Sequence, residues 1–69
     1  MTDLPIAALD RLIRKAGAER VSEDAAEELG RILEEVAQDI SKQAIELARH
    51  AKRKTVTGED IKLATKTMQ

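Results

Sequence analysis

One amphipathic helix of about 30 residues, running from Ser22 to about Ala51 without proline, dominates a chain of 69 residues. At ~1.5 Å per residue it spans ~45 Å. The segments on either side leave room for helices of only about ten to twelve residues, or ~15–18 Å each. A single copy therefore has too little chain to cover the long helix's apolar face, and a second copy is expected to complete the interior. Leu29, Leu33, Val36, Ile40, Ala44, Leu47 and Ala51 recur in steps of three and four. Their mean spacing of about 3.7 residues matches a straight helix and exceeds the 3.5 of a left-handed coiled coil. Ile32, Ala37, Ile45 and Ala48 widen the stripe, so more than one neighbour is expected. Gln38, Asp39, Lys42, Gln43 and Glu46 mark the wet side, and Glu27–Arg31 and Asp39–Gln43 have the spacing of helix-surface neighbours.

Two shorter helices flank this one. The first begins at Leu4-Pro5, proline being suited to an opening turn. It presents Ile6, Leu9, Leu12, Ile13 and Ala16 on one face and ends at Gly17, a residue free to take positive φ. Ala18-Glu19-Arg20-Val21 leads to Ser22, a good N-cap, with Glu23 and Asp24 at the positive end of the helix dipole. The second connection is Lys52-Arg53-Lys54-Thr55-Val56. Thr57-Gly58-Glu59-Asp60 then forms a capping-box-like start with Asp for the usual Glu. Ile61, Leu63, Ala64 and Met68 are the expected buried face of the last helix. The whole chain, residues 1–69, reads as one all-α domain.

The net charge of −1 conceals a strong segregation. Residues 1–21 carry four basic against three acidic side chains, residues 22–48 two against eight, and residues 49–69 six against two. An acidic middle between basic ends can form a local anion-binding surface on a nearly neutral protein. Without cysteine there is no disulfide and no Cys-based zinc site. Without Phe, Tyr or Trp there is no platform for stacking single-stranded bases. The lone His50 has no second histidine or activated serine beside it, so neither catalysis, metal, cofactor nor small-molecule substrate is expected. No apolar run approaches 18 residues and Met1-Thr2-Asp3 opens no signal peptide, which points to a soluble cytoplasmic protein that does not engage a membrane.

The segments Leu4-Pro5-Ile6-Ala7, Ala16-Gly17-Ala18-Glu19-Arg20-Val21-Ser22, Leu47-Ala48-Arg49-His50-Ala51, Arg53-Lys54-Thr55 and Glu59-Asp60-Ile61 closely resemble archaeal histones. The likeness covers nearly the whole chain. It implies the histone fold, a short-long-short chain forming an intertwined head-to-tail handshake homodimer, or a heterodimer with a second histone. Double-stranded DNA would wrap the outside, largely independently of sequence, with tetramers or larger nucleosome-like particles assembling on it.

In such a dimer Arg20, Val21 and Ser22 of one protomer lie beside Lys54, Thr55 and Val56 of its partner. Backbone N–H groups, a hydroxyl and cations then converge as a phosphate requires. Arg11 and Arg14 of the paired first helices offer a third patch, which together suits a bent duplex held by its backbone. Arg20 resembles the family's arginine that enters the minor groove, as arginines of the histone octamer do. By the same resemblance Arg53 and Asp60 form an intrachain salt bridge, with phosphate contact a secondary task for Arg53. His50 meets Asp60 of a neighbouring dimer, with Leu47 packed beside it, which asks Asp60 to serve two partners. The chain departs from the pattern at Lys52, where close relatives often carry Gly. Gly58 weakens the start of the last helix, and Lys15 and Lys62 stand where some relatives place acids that bridge stacked dimers. The competing function is a histone-fold heterodimerisation module in a transcription or repair complex, for which the net acidity speaks.

Overall fold

The computed structural model describes residues 4–67, and Met68 of the expected buried face lies outside them. Three α-helices follow one another, α1 Ile6–Lys15, α2 Glu23–His50 and α3 Gly58–Thr67, with no strand among the described residues. The short-long-short order is the one expected, and the boundaries follow from local chemistry. Pro5 stands just before α1 in extended backbone and its carbonyl accepts the Leu9 N–H at 3.2 Å. It therefore occupies the N-cap position and not the opening turn, because its own ψ of 120° is not helical. Ser22 caps α2 with its Oγ 3.3 Å from the Ala25 N–H, and its carbonyl accepts from Ala25 and Ala26. Glu23 and Asp24 occupy the first turn and Arg49 the last, so both ends of the dipole carry complementary charge.

Both α1 and α2 stop in the same way. Gly17 takes φ 120° and the Gly17 and Ala18 N–H groups return to the carbonyls of Arg14 and Ile13. After α2, Lys52 takes φ 60°, its N–H bonds the Arg49 carbonyl at 2.8 Å, and the Arg53 N–H reaches the Ala48 carbonyl at 2.9 Å. These are Schellman closures, which need one residue in the left-handed region and favour glycine there. Lysine carries a Cβ into that region and strains it. Lys52→Gly is accordingly expected to raise stability by about 0.5–1 kcal/mol. A thermal melt at fixed protein concentration should show the midpoint rise by a few degrees, and a fall would contradict the strain.

The chain divides into two compact units, one ending at Glu35 and the other beginning at Val36. In the first, α1 and the opening part of α2 bury Leu9, Ala26 and Gly30. In the second, the remainder of α2 and α3 bury Ala44, Ala48, Ala64 and Asp60. The buried apolar set is thus a single leucine and four alanines. Each alanine methyl contributes only about 0.8 kcal/mol on burial, far from what ordering a 28-residue helix demands. Meanwhile Leu12, Ile32, Leu33, Val36, Ile45, Ile61 and Leu63 are exposed, Leu12 to 53 % and Leu63 to 49 %. The stripe foreseen on α2 has the right helical phase, but one copy covers fully only Ala44 and Ala48 of it. On α3 only Ala64 of the described apolar positions is buried; Ile61 and Leu63 stand open because no second layer reaches them in a single chain.

On the wet side of α2, Arg31 pairs with Glu28 and with Glu35 at 2.9 Å, and not with Glu27. Two acids bracket one guanidinium, one a turn before it and one a turn after, and Glu27 has no place in that fork. The Arg31 guanidinium holds the Glu28 carboxyl below its ordinary range. Asp39 and Gln43 make no hydrogen bond with each other.

Candidate nucleic-acid interface

The two connections carry most of the expected site residues, and each is braced by an arginine. In the second connection, Arg53 donates from Nη1 to Asp60 Oδ2 at 2.9 Å and from Nη2 to Asp60 Oδ1 at 2.8 Å. Nη1 also reaches the Thr55 carbonyl at 3.0 Å. Asp60 further accepts the Thr57 N–H at 2.8 Å and the Thr57 hydroxyl at 3.1 Å, while its own N–H returns to Thr57 Oγ1 at 3.4 Å. This is a reciprocal capping box in which Asp does the work of the usual Glu. Because Arg53 and then the Thr57 N–H stabilise its charged form, the Asp60 carboxyl sits far below the usual carboxylate range. The Arg53 guanidinium is correspondingly raised, chiefly by its hydrogen bond to Asp60.

Arg53 is itself exposed, but its guanidinium is committed to Asp60 and the Thr55 carbonyl, and beside it Lys52, Lys54, Thr55 and Val56 are exposed as well. Neither lysine has an acid partner among the described residues. Lys54 and Thr55 therefore present a free ammonium and a hydroxyl from a loop whose path is fixed on both sides. Ile45, Ala48 and Val56 form an apolar floor in this unit, rimmed by Arg49, Arg53 and Lys54.

In the first connection, Arg20 is exposed and free of any acid among the described residues, Val21 is half-buried and Ser22 is exposed. Ser22 Oγ accepts from Ala25, which leaves its hydroxyl hydrogen for an outside acceptor. Arg11 and Arg14 are exposed on α1 but differ in state. Arg11 is unpaired among the described residues, whereas Arg14 Nε donates to Asp10 Oδ2 at 2.8 Å and Nη1 to the Glu19 carbonyl at 3.2 Å. The Asp10–Arg14 spacing is visible in the sequence as charge balance on a wet face. The reach to a backbone carbonyl in the connection has no sequence signal.

His50 is exposed and Leu47 half-buried at the end of α2. Asp60, by contrast, is 5 % exposed and takes four hydrogen bonds from its own chain, three of them on Oδ2. Within the chain His50 and Asp60 make no bond to each other. No group of three or more His, Cys, Asp or Glu suited to a metal occurs among the described residues. No helix there is long and apolar enough to cross a membrane.

Residues 2–65 match the family model described as histone-like transcription factor (CBF/NF-Y) and archaeal histone. The chain is 65 % identical over 66 residues to one of the subunits of archaeal histone HAN1 from Thermococcus zilligii, covering 96 % of this chain and 98 % of that one. It is 50 % identical over 64 residues to probable archaeal histone 3 of Methanocaldococcus jannaschii, covering 93 % of this chain and 96 % of the relative. The three helices, the arginine-braced connections and nearly end-to-end matches agree, and the chain belongs to the family of histone-like transcription factors and archaeal histones.

Proposed function

We propose that this protein is an architectural DNA-binding protein, a histone that bends, wraps and compacts double-stranded DNA with little regard to sequence. One observation carries the reading: each connection fixes its backbone internally and leaves cations unpaired, Arg20 in one and Lys54 in the other. Fixed backbone with free cations is what phosphate contact needs. The protein acts by binding and not by catalysis, on the chromosome in the cytoplasm.

Residues 1–69 form one domain that is complete only as a head-to-tail dimer. Exposed Leu12, Leu33, Val36, Ile45 and Ile61 supply the dimer's apolar interior. Leu47 and His50 at the end of α2 offer a surface on which dimers join into tetramers or larger particles, with Oδ1 of Asp60 as the remaining acceptor for a neighbour's His50. A heterodimer with a second histone uses the same faces. The reading as a protein-binding module of a transcription or repair complex draws on the acids of α2, which hold residues 22–48 at eight acidic against two basic groups.

A salt series on unrelated duplexes separates the two readings. Arg11, Arg20 and Lys54 from two protomers make about six phosphate contacts, so log affinity should fall with log salt at a slope near −5. Between 50 and 200 mM salt that is a loss of about a thousandfold. A flat salt profile, or binding confined to one sequence, would remove the architectural reading and favour the protein-binding one.

A further inference from the structure

The geometry points to Arg14 as a positioning residue for the first connection, one that sets the backbone of Arg20 and does not itself neutralise a phosphate. This rests on the DNA-binding reading above and goes beyond it, because α1 arginines would otherwise be counted alike.

Arg14 and Arg11 lie on the same helix, yet only Arg14 is engaged at both ends of its guanidinium. Nε is held by Asp10 at 2.8 Å, one turn back on α1, and Nη1 holds the Glu19 carbonyl at 3.2 Å, five residues ahead. The peptide group of that carbonyl also contains the N–H of Arg20. Fixing the carbonyl fixes the plane from which the Arg20 side chain departs. The connection needs such a brace: it leaves α1 through Gly17 at φ 120°, and the Ala18 N–H reaches the Ile13 carbonyl only at 3.5 Å.

The second connection repeats the device. There Arg53 pairs with the carboxylate of Asp60 in α3 and holds the Thr55 carbonyl. In both places an arginine joins a helix carboxylate to a carbonyl of the connection, and the unpaired cation lies beside the held peptide. The chain thus braces its two candidate phosphate contacts by one rule, in separate units, with different residues at each.

The two roles for Arg14 give opposite signs when Asp10 is altered. Were Arg14 a direct phosphate contact, removing the nearby Asp10 charge would strengthen DNA binding. As a brace, Arg14 loses its anchor in Asp10→Ala, and binding weakens although a negative charge has gone. We expect Asp10→Ala to lower affinity for a random-sequence duplex by about fivefold, the scale of two exposed ion pairs per dimer. Arg14→Lys keeps the charge but lacks the fork, and should lose about the same. The salt slope should stay that of the unaltered protein in both.

The double variant should lose no more than either single one, as expected for groups acting through one another. The amide resonance of Arg20 should shift in both single variants. All of these remain folded, since alanine and lysine are both better helix formers than aspartate, Arg14 is exposed and Asp10 is only half-buried. Tighter binding in Asp10→Ala, or unaltered binding in Arg14→Lys, overturns the inference. So does a slope about two units shallower in Arg14→Gln. If the unaltered protein shows no salt-dependent binding at all, it is the DNA reading itself that fails.

Discussion

Replacing Arg20 and Lys54 together by alanine is expected to leave a folded dimer that binds duplex DNA at least about a hundredfold more weakly near 0.1 M salt. Both side chains are exposed and neither has an acid partner among the described residues, so their removal breaks no internal contact. Surface changes of this kind alter stability by about 0.5 kcal/mol or less. A dimer, however, gives up four cations at once, and the salt slope should become shallower by about three to four units. Size-exclusion chromatography and a thermal melt check the fold, and anisotropy of a labelled duplex across a salt series reads the binding. Protein concentration has to come from peptide-bond absorbance because the chain has no Trp or Tyr. Undiminished affinity in a dimer of normal stability would mean that the connections are not the DNA surface. Each single substitution should weaken binding by less than the pair does, with a salt slope between those of the double variant and the unaltered protein.

The helices are legible from spacing and caps because these are local properties. A period of about 3.7, Ser22, Gly17 and Thr57 each act within a turn of the chain, and the observed boundaries fall beside them. Pro5 shows the limit of such reading: position before or within the first turn depends on its ψ, which residue type leaves open. Arg31 shows another. Glu27, Glu28 and Glu35 all lie three or four residues away, and spacing alone cannot choose among them.

The Arg53–Asp60 pair is supplied by the family resemblance and is compatible with a seven-residue separation. Its extension to Thr57 and the Thr55 carbonyl emerges only when the connection has a definite path. Lys52 stands out in the sequence as a departure from glycine, and the positive φ gives that departure its physical cost. Arg14 reads as a companion of Arg11 on charge grounds alone. A carbonyl acceptor leaves no trace in a sequence, so the brace it forms with Glu19 has to be seen.

Asp60→Ala is expected to be the most destabilising single change among the site residues, lowering the thermal midpoint by about 10 °C or more. One substitution removes both the Arg53 fork and the cap of α3, and leaves the Thr57 N–H and the guanidinium without their acceptor. Asp60→Asn retains an oxygen for one of these donors and should fall between Asp60→Ala and the unaltered protein. DNA binding should weaken as well, because the Thr55 carbonyl is held by the same guanidinium, and Lys54 sits beside it. The charge of Asp60 also fixes a pH dependence. Arg53, and after it the Thr57 N–H, depress the folded carboxyl far below the unfolded value of about 4. Its contribution is therefore complete above that value. It declines as pH falls further, since the unfolded chain binds a proton that the folded chain refuses. Glu28, depressed by Arg31, adds acid sensitivity of its own, so the informative quantity is the difference between the unaltered protein and Asp60→Asn. That difference should be constant from pH 7 to about 5 and narrow steadily toward pH 2. A gap that stays the same down to pH 2 would show that shape and hydrogen bonding, and not the carboxylate's charge, hold the second connection in place.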